Sequence, residues 1–139
     1  MDNRQVLDTF GEVVVQGFKQ SPLEWFDNKC SGDVSSDSDL AMHAMLKKMS
    51  PREIDFIRDL INDALTLGIH DFLFRFGELR DNAEDTAIRV EGRDLYEISD
   101  GLNGEVFGDA GWERFSSYPD RFALMDKYEQ VYREQRDKS

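Results

Sequence analysis

This sequence contains only three histidine and cysteine residues: His43, His70 and Cys30. These are the side chains that most often carry acid–base, nucleophilic and metal chemistry. Neither histidine belongs to an H-E-x-x-H motif or to another paired spacing that would place two imidazoles on one metal ion. Asp71 follows His70 and has the chemistry to orient its imidazole, while Cys30 has that of a nucleophile. A small hydrolytic enzyme using His70 is therefore one alternative. We expect instead that His70 borders a Phe-rich core and bonds a backbone carbonyl.

Two polar segments carry only part of a ligand-binding pattern. Residues 33–44 place acids or hydroxyls at positions 1, 3, 5 and 7 of a calcium loop, but Ser38 replaces its glycine and Ala44 its bidentate glutamate. Residues 100–112 contain four glycines, but their spacing fits neither a dinucleotide fingerprint nor a phosphate-binding loop. We therefore predict no bound metal and no cofactor.

Acidic residues dominate the composition. The chain has 29 Asp and Glu against 17 Lys and Arg, a net charge of -12, and residues 51–100 alone hold thirteen acids and six bases. A negative field repels nucleic acid and anionic membranes, and it attracts basic protein surfaces. The composition therefore argues against direct nucleic-acid binding and favours a basic protein partner.

The acids of the central segment form two predicted partner-binding groups. Asp55, Asp59 and Asp63 recur at i, i+4 and i+8, so they form one stripe along a helix, and like charges at this spacing cost up to about 0.5 kcal/mol per pair. A positive partner would relieve that cost. The second group follows further along the chain and consists of Glu78, Asp81, Glu84 and Asp85.

These groups favour an acidic protein-binding module, in the form of a bacterial immunity protein or inhibitor that covers the active site of a basic toxin or nuclease. Trp112, in the glycine-rich segment, is a candidate interface anchor, although burial in the core is the favoured interpretation of this residue. A DNA-mimicking regulator of a nucleic-acid-binding protein is an alternative that requires a long double row of carboxylates. Association of helix faces into a homo-oligomer also stays open.

The residue pattern predicts one mainly helical (α+β) domain over residues 1–139, a bundle of about four to five helices with one small β-hairpin. A first helix is expected from Asn3 to Gln20, ended by Ser21-Pro22. Its apolar positions follow helical spacing: Val6, Phe10, Val13, Val14, Gly17 and Phe18.

The strongest local signal is Ser50-Pro51-Arg52-Glu53, which has the pattern of a capping box with proline at the first helical position. It predicts a helix to Leu67, with Gly68 either ending it or lying within it. A second helix is expected over Ile69–Leu79, where the apolar positions fit one helix face: Ile69, Phe72, Leu73 and Phe76. A last helix is expected from Pro119 or Asp120 to about Arg136.

The remaining segments have weaker patterns. Residues 28–39 predict a loop, after which Asp37 or Asp39 is expected to cap a helix through Met49. Residues 86–91 alternate like a strand, with residues 95–99 as the expected hairpin partner, and residues 112–118 are expected to form a short helix.

A single cysteine excludes an internal disulfide and favours a reducing compartment. The N-terminal residues lack the apolar core of a secretion signal, and no run approaches the ~18 apolar residues that a membrane-spanning helix needs. These features predict a cytoplasmic protein with no membrane association.

Overall fold

A 32-residue helix, α4 (Pro51–Asn82), is the axis against which the other elements pack. The predicted capping box is present, since the Ser50 hydroxyl accepts from the Glu53 amide at 3.2 Å and the Glu53 carboxylate accepts from the Ser50 amide at 3.1 Å. Gly68 lies within this helix, and the segment expected to form a second helix is its continuation. The computed structural model describes all residues from Met1 to Ser139.

The N-terminal segment is also helical for longer than predicted. Helix α1 (Asn3–Val15) leads into a π-helical segment, Gln16–Gln20, and then directly into α2 (Ser21–Ser31). Ser21-Pro22 was expected to end the helix because a proline ring clashes with the carbonyl four residues earlier. The π turn is wider, with the Ser21 amide bonding the Gln16 carbonyl, and it relieves that clash so that the helix continues.

Helix α2 ends at Gly32, whose left-handed φ of 83° favours glycine. The predicted loop is accordingly shorter than residues 28–39, and helix α3 covers Asp37–Leu46. Its N-cap is Ser36 rather than either predicted aspartate, because the Ser36 hydroxyl accepts from the Asp39 amide.

The hairpin is smaller than predicted and has a different second strand. Strand β1 (Arg89–Val90) pairs antiparallel with β2 (Arg93–Asp94) across a tight turn at Glu91 and Gly92, both with positive φ. The expected partner, residues 95–99, is largely the short helix α5 (Leu95–Ile98). Asp94 causes the change, since its carboxylate accepts from the Tyr96 amide and caps α5.

Two 3-10 helices, Leu102–Val106 and Trp112–Phe115, follow before α6 (Arg121–Lys138), which begins next to the predicted start and is capped by Asp120. The mainly helical fold with one small hairpin is thus confirmed. None of the helices is both long and apolar enough to span a lipid bilayer.

The core lies between α1 and α4 and is closed by the segment after the hairpin. Trp112 is completely buried there, and the Phe10 ring packs edge-on against it at 5.7 Å between centroids. The other core residues come from α1, α4, α5 and the first 3-10 helix: Val6, Leu7, Val14, Val15, Ile69, Leu73, Leu95, Leu102 and Val106. By contrast, Leu124 is the only buried residue of α6, so that helix lies on the surface of α4.

Candidate functional site

An open apolar groove of about 510 Å³ runs between α1, the π-helical segment and α4, and we call it the α1–α4 groove. Val13 is 68% exposed, Phe18 58% and Phe72 58%, although sequence periodicity placed all three on apolar helix faces. Ten residues line the groove, and all except Gly68 are hydrophobic: Phe10, Val13, Val14, Phe18, Gly68, Ile69, Phe72, Leu73, Phe76 and Ile88. Contiguous exposed apolar surface of this kind marks binding sites more often than accident.

Helical spacing builds the α4 wall of this groove. Ile69, Phe72, Leu73 and Phe76 lie at i, i+3, i+4 and i+7, so they share one side of the helix. Ile69 and Leu73 point into the core, while Phe72 extends outward and its ring lies 6.1 Å from that of Phe76. The wall is therefore half core and half open surface. Periodicity alone could not separate these halves. It shows which residues share a face of the helix, but not whether another element covers that face.

Four carboxylates follow the groove residue Phe76 in the chain, and we call them the distal acidic group: Glu78, Asp81, Glu84 and Asp85. They occupy the stretch of chain between the groove residues Phe76 and Ile88. Glu78, Glu84 and Asp85 have no basic side chain within 4.0 Å, and Asp81 is 3.8 Å from Arg80, which makes its closer contact to Asp94 at 2.7 Å.

Two of these acids also lie near the C-terminal end of α4, which is unfavourable for negative charge. Glu78 and Asp81 lie in the last turn of α4, where the helix dipole places partial negative charge. Asp81 has only its 3.8 Å contact to Arg80, Glu78 has no basic side chain within 4.0 Å, and the helix dipole compensates neither charge. A positive ligand at this position would remove both costs.

The aspartate stripe has a different environment, because basic residues of the same chain pair with it. Asp55 pairs with Arg58 at 2.7 Å. Asp59 accepts from Lys127 at 2.6 Å and from the Tyr128 hydroxyl at 2.7 Å, and Asp63 lies 3.3 Å from Arg121. The positive partner that relieves the repulsion is therefore in large part α6. Sequence reasoning missed this, since nothing local shows that the last helix packs on the stripe.

Two tyrosine hydroxyls donate hydrogen bonds to aspartates, Tyr128 to Asp59 of the stripe and Tyr118 to Asp27 outside it. Burial, and then the hydrogen bond to Asp59, raise the pKa of Tyr128 to about 12. Burial and the hydrogen bond to Asp27 likewise raise the pKa of Tyr118 to about 12. Both phenols are thus held in the neutral form in the folded protein.

We expect stability to fall as pH rises from about 10 to about 12. The unfolded tyrosines lose protons from about pH 10, whereas the folded ones retain them until about pH 12, so alkali favours the unfolded state across this window. Thermal unfolding at pH 8 and pH 11 checks this with the double variant Tyr118→Phe, Tyr128→Phe. Its midpoint should fall less than that of the wild type; an equal fall would assign the alkaline loss to other groups.

Trp112 is not available as an interface anchor. Its side chain is wholly buried, and its ring would be 2.3 Å from a Cβ placed on Gly11, so it fills the space that this glycine leaves. The favoured interpretation of Trp112 as a core residue is correct, and its candidate role in partner binding is wrong.

The candidate catalytic residues lie far apart. His70 bonds Asp71 at 3.0 Å and Asn103 at 3.1 Å, not the expected backbone carbonyl, and its ring lies 5.4 Å from that of Phe107. Cys30 lies near Arg58, twelve residues before His70 in α4 and thus about 18 Å away along the helix. Burial raises the pKa of the Cys30 thiol, which disfavours the reactive thiolate. No three metal-ligating side chains come together.

The candidate site therefore consists of the α1–α4 groove and the distal acidic group that follows it in the chain. No protein-family model, characterised protein or solved structure shows significant similarity to this chain.

Proposed function

We propose that the protein is an acidic protein-binding module that holds a basic, amphipathic helix of its partner in the α1–α4 groove. Two observations carry the proposal: an open apolar groove, and an acidic group with few basic partners that lies in the chain between the groove residues Phe76 and Ile88. An amphipathic helix places apolar anchors at i, i+3, i+4 and i+7 on one face, which suits an apolar groove between two helices. Cationic residues at one end of that helix would meet the acids.

The two parts of the site would contribute differently. Val13, Phe18 and Phe72 project from the groove walls, and covering such side chains removes apolar surface from water. The distal acidic group remains at the rim, where carboxylates act mainly on the association rate and on the choice of partner. Affinity should therefore depend chiefly on the groove, and salt sensitivity chiefly on the acids.

More specifically, the protein would be an immunity protein or inhibitor that neutralises a basic bacterial toxin or nuclease in the cytoplasm by covering its active site. A DNA mimic is the second candidate, but it needs a long row of free carboxylates. Asp59 and Asp63 are paired with α6, which leaves the distal acidic group, at the end of α4 and just beyond it, as one compact group with few basic partners. This favours the inhibitor. The single cysteine supports the cytoplasmic location.

Binding of a fluorescent, Lys- and Leu-based amphipathic helical peptide, followed by anisotropy, tests the proposal. We expect the double variant Val13→Ser, Phe72→Ser to weaken binding at least about ten-fold, since truncating buried anchors typically costs more than 1 kcal/mol each. Neutralising the distal acidic group should weaken binding at low salt and flatten its salt dependence. That variant combines Glu78→Gln, Asp81→Asn, Glu84→Gln and Asp85→Asn.

A matched control changes the net charge equally on α6, through Asp126→Asn, Glu129→Gln, Glu134→Gln and Asp137→Asn. It should retain the affinity and salt dependence of the wild type, apart from a small effect of total charge. If both charge variants weaken binding equally, net charge rather than a site is responsible. If the groove variant binds as the wild type does, the groove is not where the peptide docks.

A further inference from the structure

One segment of this acidic chain is basic. Residues 40–52 form its longest stretch without Asp or Glu, and they contain three cations: Lys47, Lys48 and Arg52. None of these three makes a salt bridge or a side-chain hydrogen bond, although the protein contains 29 acidic residues. The chain therefore carries three unpaired cations in one segment and, in the distal acidic group, four acids of which only Asp81 has a basic side chain within 4.0 Å.

Helix α3 supplies the apolar part of the same segment. It has no buried residue, and Met42 and Met45 are 46% and 66% exposed. With Leu46 these methionines lie at i, i+3 and i+4 on one helix face, a spacing of anchors in helices that bind in grooves, and the exposed Met49 follows in the turn after α3. Methionine adapts well to such surfaces because its side chain is unbranched and polarizable.

The other side of α3 holds it to α2. Asp39 pairs with Lys29, and the His43 ring bonds the Lys29 carbonyl at 2.8 Å. Asp39 and His43 are four residues apart and share a face, which is not the face of the methionines. Helix α3 is thus fixed in place with its methionine face turned outward.

The segment cannot reach the groove of its own chain. It directly precedes α4, whereas Phe72 lies 21 residues beyond Pro51 in that helix, about 30 Å along its axis. The groove that it can enter belongs to another molecule.

We propose that α3 and the following basic residues of a second copy occupy the α1–α4 groove, with the cations of residues 47–52 at the distal acidic group. Reciprocal docking closes the assembly as a two-fold dimer, since each copy has one α3 and one groove. This inference rests on the proposed function, because it assigns to the same groove a regulator that competes with the foreign partner. At high concentration the protein would cover its own binding site.

Sedimentation velocity over a range of concentrations tests this with two point variants of the full chain. Met45→Asp places a charge on the α3 face, and Phe72→Asp places one in the groove. Both side chains are exposed, so folding should be unaffected. We expect the wild type to dimerise and each variant alone to dimerise at least about ten-fold more weakly.

The equimolar mixture is the decisive sample. A Met45→Asp copy retains its groove and a Phe72→Asp copy retains its α3, so a mixed pair keeps one intact contact. The mixture should therefore associate more tightly than either variant alone and less tightly than the wild type. Met125→Asp, a comparable exposed methionine on α6, serves as the matched control and should dimerise like the wild type.

Three results would overturn the inference: a wild type that stays monomeric, a mixture no tighter than its components, or a Met125→Asp variant that loses association. The peptide measurement separates this failure from failure of the proposed function, since Met45→Asp keeps an intact groove for the probe. A monomeric wild type that binds the peptide rejects self-docking alone. A mixture that regains association while no peptide binds supports self-docking and rejects the foreign helical partner.

Discussion

Glu113→Ala should destabilise the fold by about 3–5 kcal/mol, the range for breaking a buried ion pair from one side. The Glu113 carboxylate is buried and accepts from Lys19 at 2.9 Å, from the Thr66 hydroxyl at 3.1 Å and from the Arg121 amide at 3.0 Å. Lys19 is itself completely buried, and without Glu113 its remaining partner is the Pro119 carbonyl at 3.1 Å. The Lys19 ammonium, buried without its carboxylate partner, accounts for most of the expected loss of stability.

Urea unfolding measures this loss, and Glu129→Ala is the control. Glu129 pairs with Arg133 at 3.8 Å on the exposed face of α6, where such pairs contribute at most about 0.5 kcal/mol. In addition, Lys19→Met combined with Glu113→Gln should cost less than the sum of the two single changes, since no unpaired charge remains. A Glu113→Ala variant as stable as Glu129→Ala would show that the buried network contributes little.

Gly11→Ala is expected to destabilise the protein by about 1–3 kcal/mol, the usual cost of overpacking a core. A Cβ at Gly11 would lie 2.3 Å from three atoms of the Trp112 ring, and that ring is enclosed with Phe10 packed against it. The alanine methyl therefore displaces either the ring or α1. The approach of the indole to the backbone of α1 is possible only because this residue is glycine.

Gly68→Ala is the matched comparison, since a Cβ there meets nothing within 4 Å. It should stabilise the protein by about 0.5–1 kcal/mol, because alanine is the better helix former and nothing opposes it. Opposite signs in chemical unfolding would confirm that packing, and not helix propensity, decides the outcome at Gly11. The same sign at both positions would contradict the close contact with Trp112.

Local chemistry made parts of the fold predictable. Ser50 with Glu53, and Asp120 at the start of α6, cap their helices through bonds to residues only three positions away. The continuation of the first helix past Pro22 was not predictable, because the π turn that accommodates the proline has no strong local signature. The hairpin partner was misassigned because Asp94 caps a helix where alternation suggested a strand.

The candidate site, like the fold, could be predicted from the sequence only in part. Sequence correctly identified acidic groups, but it could not show that Asp59 and Asp63 face Arg121 and Lys127, which lie more than fifty residues later in the chain. It also treated apolar spacing as burial and so missed the groove at Phe72. Which apolar and acidic residues remain uncovered depends on tertiary packing, and that information is distributed over the whole chain.

The contacts between the two ends of the chain bear on when the protein can fold during synthesis. Lys19 meets Glu113 across 94 positions, Gln16 meets the Phe115 carbonyl across 99, and Asp8 meets Arg114 across 106. Contacts of such long sequence separation form late and slow folding. The first helix therefore leaves the ribosome long before the segment that covers its core face exists. Its valines and Lys19 therefore stay exposed to chaperones and to neighbouring chains until residues 113–115 have been synthesised.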